Sequence, residues 1–212
     1  MTADDPHRIA SLDQLAQVYD AATSKTAAKK IDHIDKHCQA IIAASPFMLL
    51  ATSSEEGADC TPRGDPPGFV QVADRHTLLI PDRRGNNLLD SLRNVVLNPE
   101  VGLLFLVPGM TETLRVNGTG HLTTDPEICA RFEMQGALPR SVLVVSVREA
   151  YLHCPRAILR ADLWNPERYV DRASLPTMGR IFADHIRISQ DYELDADAYD
   201  AQAKETLTKI LY

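Results

Sequence analysis

The sequence predicts an α+β fold in which helices flank a closed or partly closed antiparallel β-barrel. Helical patterns occupy both ends of the chain, and about six strand patterns with one helix among them lie between. Short turns join these strand patterns instead of regular crossover helices, which is typical of antiparallel sheets. The length of 212 residues suits one domain, or one domain with small additions.

Residues 1–45 are predicted to form N-terminal helices that pack on the barrel. A first helix follows Ser11, with Gln14 at the third position after this cap. A second helix is predicted from about residue 24 to 44, because apolar residues recur there at steps of three and four. It is expected to end before Pro46, since the residue preceding a proline is disfavoured in a helix.

Residues 46–154 are predicted to form the barrel itself. The predicted strands are residues 47–52, 69–72, 77–81, 101–107, 113–123 and 142–153. A helix is expected over 86–97 and a shorter one near 126–134, whereas three prolines and two glycines predict irregular backbone over 60–68. Alternation along 113–123 predicts an apolar face and a polar face that carries Thr113, Arg115 and Asn117.

Residues 155–212 are predicted to be a C-terminal helical extension of the same domain. The helical candidates are residues 155–163, 177–185 and 195–211. Apolar residues of the last helix, among them Leu207, Ile210 and Leu211, are expected to pack on the body of the protein or on a partner.

Composition excludes several classes of protein. The net charge of −7 argues against a nucleic-acid-binding surface, although a local basic pocket for a small anion stays compatible with it. The longest apolar stretches are far shorter than the ~20 residues of a membrane span, and the N-terminus lacks the pattern of a signal peptide. The four cysteines have no zinc-ribbon spacing, so we expect free thiols, a cytoplasmic location and no metal site. His33 and His37 are interpreted as an exposed pair on one helix face.

The most informative segment is residues 77–88, in which a strand leads through a loop into a predicted helix. Arg83 and Arg84 stand just before the expected helix N-terminus, and Gly85 would let a ligand approach the backbone. Guanidinium groups beside free helical N–H groups are suited to binding a phosphate. The alternative is a surface turn with solvated arginines, capped by Asn86.

Two further features add polar groups. Thr61-Pro62-Arg63-Gly64-Asp65 offers irregular backbone suited to the polar edges of a flat heterocycle, or else a strained connection with an Arg63–Asp65 pair. The polar row with Thr113 and Arg115 is either a solvated strand face or a source of positive charge near a flavin.

Together these segments give the chain a specific resemblance. The order of Thr61–Asp65, Leu78-Leu79-Ile80-Pro81-Asp82-Arg83, Gly85-Asn86-Asn87, a helix ending in Asn98-Pro99, and Glu112-Thr113-Leu114-Arg115-Val116-Asn117-Gly118 resembles the pyridoxamine 5′-phosphate oxidase-like, FMN-binding split-barrel family. It is most similar to a bacterial subgroup of FMN-dependent flavoproteins whose substrate is not established, also at Cys154-Pro155-Arg156-Ala157 and Leu163-Trp164.

The resemblance implies an FMN-dependent oxidoreductase that acts on a small molecule, on an antiparallel split β-barrel homodimer. Matched positions imply that the phosphate is bound by Arg83, Arg84, Asn86 and Asn87, and that the flavin is lined by Arg63, Gly64, Asp65, Pro81 and Asp82. They imply further cofactor contacts from Thr113, Arg115 and, from the second subunit, Trp164. No catalytic side chain is assigned.

The chain departs from the true oxidase in its phosphate segment, where Arg83 and Arg84 are followed by Gly85-Asn86-Asn87 instead of an Arg-Lys pair opening the helix. The C-terminal arginine and histidine pattern that binds pyridoxamine phosphate is not found either. The substrate is therefore left open. The alternatives are a flavin-binding carrier or sensor without turnover, and a related barrel that binds a deazaflavin or haem.

Overall fold

Seven antiparallel strands form one sheet, with helices before, within and after it, in a computed structural model that describes residues 5–189, 192–206 and 212. The strands are β1 Phe47–Ser54, β2 Gly57–Gly64, β3 Gln71–Asp74, β4 Thr77–Pro81, β5 Glu100–Leu106, β6 Thr113–Thr123 and β7 Val142–His153. The helices are α1 Leu12–Val18, α2 Ser24–Ala28, α3 Lys36–Ala44, α4 Asp90–Leu97, α5 Pro126–Ala130, α6 Arg156–Ala161, α7 Met178–Ser189 and α8 Ala196–Thr206. Two short 3₁₀ turns, Pro166–Arg168 and Arg172–Ser174, separate α6 from α7.

The sheet curls into a partly closed barrel with a seam. Its strand order is β2-β1-β5-β6-β7-β4-β3, so β2 and β4 are separated by five strand spacings, about 24 Å in a flat sheet. Nevertheless Arg63 on β2 and Asp82, directly after β4, are joined by a hydrogen bond of 2.8 Å. The two ends of the sheet therefore meet through side chains and not through a backbone ladder, which confirms the predicted α+β fold with an antiparallel split barrel.

The core fills the inside of this barrel. One cluster of buried side chains joins strands from both ends of the sheet, including Met48 of β1, Leu78 of β4, Phe105 of β5 and Val116 of β6. Leu114, Val116, Gly118 and Gly120 are buried while the residues between them are half-buried, as the alternation along β6 predicted.

The predicted long helix over 24–44 is wrong, because tertiary pairing interrupts it. Ile31 forms a β-bridge with Ala150, exchanging backbone hydrogen bonds of 3.0 and 2.7 Å, and its chain neighbours cannot then be helical. Asp35 restarts the helix as α3 by accepting hydrogen bonds from the backbone N–H groups of His37 and Cys38. His33 therefore lies outside α3, and the two histidines do not share one helix face.

Two further local predictions are corrected. Residues 60–64 belong to β2, since an edge strand tolerates Pro62, which has no N–H to donate to a neighbour. Helix α4 begins at Asp90, four residues later than predicted, because Asn87 and Leu89 adopt left-handed backbone with φ of 60° and 47°. The expected helix N-terminus at Asn86 is thus replaced by an irregular loop.

The C-terminal segment forms the helices α6, α7 and α8. α7 and α8 pack as a pair, with the rings of Phe182 and Tyr199 5.4 Å apart and the N–H of Gly179 donating to Asp200. Leu207, Ile210 and Leu211, for which packing was predicted, lie outside the described residues. Over the ranges 5–189, 192–206 and 212, no helix combines the length and the apolar character needed to cross a membrane.

Candidate functional site

Two reciprocal ion pairs close the barrel seam. Arg63 donates to Asp82 at 2.8 Å, and Arg83 donates to Asp65 at 2.6 Å. The side chain of Asp65 is only 2% exposed and that of Arg83 17% exposed, so the second pair is largely withdrawn from water. The alternative Arg63–Asp65 pair suggested by the sequence is not formed, because each partner reaches across the seam instead.

The Asp65–Arg83 pair is further enclosed by its neighbours. Arg83 donates a second hydrogen bond to the carbonyl of Phe132 at 2.6 Å. The hydroxyl of Tyr212 donates to Asp65, and the guanidinium of Arg83 lies 5.5 Å from the centre of the Tyr212 ring. The hydrogen bond to Asp65, together with burial, raises the pKa of Tyr212 above its ordinary value, so the hydroxyl stays protonated. The charge of Arg83 is thus paired, and two of its five N–H donors are bonded to protein acceptors.

A cavity of about 320 Å³ opens beside this seam. Six of the predicted site residues line it: Arg63, Asp82, Arg83, Arg84, Asn86 and Asn87. Arg84 is exposed and has no ion-pair partner among the residues that the structure describes. Arg140, which the sequence reasoning did not single out, also lines the cavity and donates to Asn87 at 3.1 Å. Arg84 and Arg140 therefore bring to the cavity two guanidinium groups that form no ion pair with the described residues, although Asp82 and Asp90 also line it.

The N-terminal end of α4 forms another wall of this cavity through polar contacts. The hydroxyls of Thr61 and Ser91 are hydrogen-bonded at 2.8 Å, and Ser91 donates to Asp59 at 2.7 Å. Asn94, one turn further, donates to Thr52. These buried bonds tie α4 to β1 and β2, which explains why a helix with no side-chain cap starts at this place.

A second cavity of about 210 Å³ adjoins the first and shares residues with it. Its walls include Pro62, Gly64, Phe69 and Pro81, together with Arg63, Arg83 and Arg84. The Nε atom of Arg63 is buried and has no hydrogen-bond partner in the described chain. A cavity whose walls combine apolar residues with arginines and an unused N–H donor is suited to a planar heterocycle with polar edges.

Three of the predicted residues lie elsewhere. Arg115 of β6 donates to the hydroxyl of Tyr151 at 3.0 Å, on the outer face of the sheet. Arg115 and Pro62 stand three strand spacings apart in one cross-strand row, about 14 Å along the sheet. Trp164 donates to the carbonyl of Met110, and neither it nor Thr113 lines the two cavities.

Pairing of β4 with β7 explains how Arg140 reaches the site. Pro81 is opposite Val142, and the N–H of Asp82 donates to the carbonyl of Ser141 at 2.9 Å, which continues the ladder past β4. The residue before Ser141 is thereby held next to the loop that follows Asp82. This contact depends on two strands that lie about 60 residues apart in the chain. It could have been predicted only if the pairing of these two strands had been predicted.

The cysteines and histidines form no competing centre. Burial raises the pKa of Cys38 to about 11, so this core thiol is protonated at neutral pH, as expected for a residue on the apolar face of α3. All four cysteines are free, with Cys60 and Cys154 exposed. Within the described part of the chain, histidine, cysteine and carboxylate side chains do not gather in threes that could hold a metal ion.

Fold and site together define a split-barrel protein with an arginine-lined cavity at its seam. A model of the pyridoxamine 5′-phosphate oxidase family matches residues 34–154, more than half of the chain. The chain therefore belongs to this family, as the resemblance of its motifs predicted. No curated protein matches it.

Solved structures similar to the chain include three bacterial proteins. HupZ from Group A Streptococcus is 14% identical, with 56% of this chain and 93% of that chain covered and a TM-score of 0.48. General stress protein 26 from Bacillus anthracis is 15% identical, with 53% and 88% covered and a TM-score of 0.41. A NimC/NimA family protein from Clostridium acetobutylicum is 13% identical, with 56% and 92% covered and a TM-score of 0.38.

Proposed function

We propose that the protein is an FMN-dependent oxidoreductase that acts on a small molecule. The observation that carries the proposal is the pair of adjoining cavities at the barrel seam: the first holds two arginines that form no ion pair in the described chain, and the second has apolar residues beside the unpartnered Nε–H of Arg63. A phosphate tail and a flat heterocycle are the two chemically different ends of FMN. Family membership supports the same cofactor.

The phosphate is assigned to the larger cavity. Arg84 and Arg140 offer charge-assisted hydrogen bonds, and the side chains of Asn86 and Asn87 lie in the same wall. Arg83 is reassigned from phosphate ligand mainly to support of the seam, because its charge is paired with Asp65 and two of its five N–H donors are bonded to Asp65 and the Phe132 carbonyl. The positive end of α4 contributes less than the sequence suggested, since Asp90 stands in its first turn.

The flavin ring is assigned to the smaller cavity. Pro62, Phe69 and Pro81 present apolar surface, and Gly64 lies in the same wall. Arg63 would present its unpartnered Nε–H to an acceptor on the ring, and its charge, although partly offset by Asp82, would favour electron-rich forms of the ring. When bound, the flavin supplies two-electron redox chemistry, and the residues named here bind and orient it.

A homodimer is part of the proposal. The outer face of β1 and β5 presents Phe47, Leu49, Leu104 and Leu106 outside the barrel core, and Phe47 is 38% exposed. Contiguous apolar side chains on a sheet face are typical of a protein interface. In such a dimer Thr113 and Trp164, which line neither cavity of their own chain, would be available to the cavity of the partner.

We also propose a cytoplasmic location, which the free thiols of Cys60 and Cys154 support.

The test is the absorption spectrum of freshly purified protein, with identification of the released cofactor by mass. Bands of oxidised flavin and the mass of FMN are expected; a deazaflavin, a haem or no chromophore would contradict the proposal.

Arg84→Gln combined with Arg140→Gln should weaken FMN binding by about 100-fold, about tenfold for each charge-assisted hydrogen bond lost. Arg180→Gln, an exposed arginine of α7, is the matched control and should bind FMN like the wild type.

A further measurement separates an enzyme from a carrier or sensor. Steady-state reduction by NADH or NADPH, followed by reoxidation with a defined acceptor, is expected to be catalytic in the wild type. Stable FMN binding with no turnover over a panel of donors and acceptors would favour the carrier.

A further inference from the structure

The outer face of β6 and β7 carries a cluster of positive side chains around one tyrosine, in a chain whose net charge is −7. Tyr151 is 8% exposed, and three cations surround its ring: Lys30 Nζ at 4.9 Å, Lys29 Nζ at 5.4 Å and Arg115 Cζ at 5.7 Å from the ring centre. This group, with His153, is here called the Tyr151 cluster. It shares no residue with the cavities at the seam.

Tertiary pairing brings the lysines to this place. β4 pairs with β7 only over residues 142–146, and further along β7 the bridge between Ile31 and Ala150 takes over the free edge. The two residues before Ile31 are thereby held beside Tyr151. Lys29 is fixed there by a hydrogen bond of 3.1 Å from its ammonium group to the carbonyl of Leu152.

The carboxylate that balances part of this charge is Glu149, and its hydrogen bonds are already used. It accepts from Lys30 at 3.0 Å and from Asn117 at 2.7 Å, and these bonds lower the pKa of Glu149, which keeps it ionised. Lys29 and Arg115 meet only neutral acceptors, the Leu152 carbonyl and the Tyr151 hydroxyl, among the described residues. The cluster therefore holds two positive charges that no carboxylate of the described chain neutralises.

An unused hydrogen-bonding atom lies next to these two charges. The imidazole of His153 is centred 5.1 Å from the Tyr151 ring, and its Nε2 is buried without a partner in the described chain. Burial, followed by the charges of Arg115 and Lys29, lowers the pKa of His153, so the ring is neutral near pH 7. A buried nitrogen without a hydrogen bond is unfavourable, and a ligand oxygen would satisfy it.

We propose that the Tyr151 cluster is a binding site for the oxyanion of a small molecule, a carboxylate or a phosphate group. Arg115 and Lys29 supply the charge, and the Nε2–H tautomer of His153 donates a hydrogen bond. Tyr151, held by Arg115, forms the floor of the site. The site is additional to the proposed flavin site, and its test does not depend on flavin binding.

The site is tested by NMR of the His153 imidazole in the full chain, assigned by the signal lost in His153→Gln. Inorganic phosphate and acetate are titrated separately at pH 7, with ionic strength held constant by sodium chloride. Saturable movement of the His153 signal is expected with at least one of the two anions. Which anion saturates first identifies the phosphate or the carboxylate as the preferred group. A bound anion should also raise the pKa of His153, because it offsets the charges of Arg115 and Lys29.

Variants separate binding from a general effect of salt. Arg115→Gln should weaken binding of the anion by about tenfold or more. Lys29→Gln, on an exposed segment outside the core, should have the same effect and serves as the test if Arg115→Gln fails to fold. Arg148→Gln is the matched control, since this exposed arginine of β7 is paired with Glu100 outside the cluster. Movement that does not saturate, or that is equal in wild type and in the two test variants, would overturn the proposal. A dimer that dissociates in Arg115→Gln while no anion titrates would also overturn it, because a partner chain would then occupy the cluster.

Discussion

Arg83 and Arg84 are neighbours in the chain, yet their surroundings give them different roles. Arg83 lies across the seam with Asp65, the Phe132 carbonyl and the Tyr212 ring around it. Arg84 is exposed beside the larger cavity and lacks an ion-pair partner in the described chain. A guanidinium whose charge is paired with a buried carboxylate supports structure, whereas one without an ion pair can bind an anionic ligand.

Asp65→Asn should destabilise the protein by about 3 kcal/mol, because it leaves the Arg83 charge buried without its partner. The measurement is urea unfolding at neutral pH. Glu56→Gln is the matched control, since Glu56 and its partner Arg93 are 66% and 64% exposed at 3.8 Å, and its effect should stay below about 1 kcal/mol. Equal effects of the two variants would show that the seam pair does not stabilise the barrel.

At the scale of elements, β6 and β7 form the most extensive strand pair. Their backbones approach each other closely at one point along it. The register between them shifts at Asn117 and Gly118. A Cβ atom at Gly118 would overlap the carbonyl oxygen of Ser146, far inside van der Waals contact. Glycine is therefore required here for space, since a backbone carbonyl cannot rotate away as a side chain can.

Gly118→Ala should lower the free energy of unfolding by at least about 2 kcal/mol, because the two strands must move apart to admit the methyl group. Chemical denaturation of the cofactor-free protein measures it. Gly85→Ala is the control: nothing lies within 4 Å of a Cβ added there, so its change should stay within about 0.5 kcal/mol. A Gly118→Ala protein as stable as the control would mean that the strands are not held this close.

At the scale of the whole molecule, an incomplete barrel creates both the site and the proposed dimer surface. The ends of the sheet meet through two ion pairs and leave cavities beside them. The inside of the barrel is filled by its own core, so ligands are confined to the seam or to the outer face. The outer face of β1 and β5 lies outside the barrel core and yet carries apolar side chains. Such a face is expected where another chain covers it.

Leu104→Glu should convert the proposed dimer to monomer, because it places a charge in the middle of this outer face. Sedimentation velocity at micromolar concentration measures the mass, and retention of the thermal unfolding transition shows that the monomer is folded. Val96→Glu, at a residue 73% exposed on α4, is the control and should remain dimeric. A dimer that persists in Leu104→Glu would exclude this face as the interface.

Several elements were predictable because their signal is local. The bounds of β6 and β7 agree with the predicted 113–123 and 142–153, since alternating or continuous apolar residues identify a strand wherever it lies. The family was identified from the order of short motifs, which the match over 34–154 confirms. The predicted helix over 24–44 was wrong, although the helical spacing of its apolar residues is real. Ile31 pairs with β7, and the spacing of residues along the chain carries no information about a pairing with a distant strand.

The amino-acid sequence by itself determined the fold class, the family and six of the side chains that line the larger cavity. Only the tertiary structure decided which arginines are available there: it pairs Arg63 and Arg83 across the seam, leaves Arg84 free of ion pairs in the described chain and adds Arg140 from the approach to β7. The physical reason is that the charge available to a ligand depends on which opposite charges lie within a few ångströms, and strands far apart in the chain supply those charges.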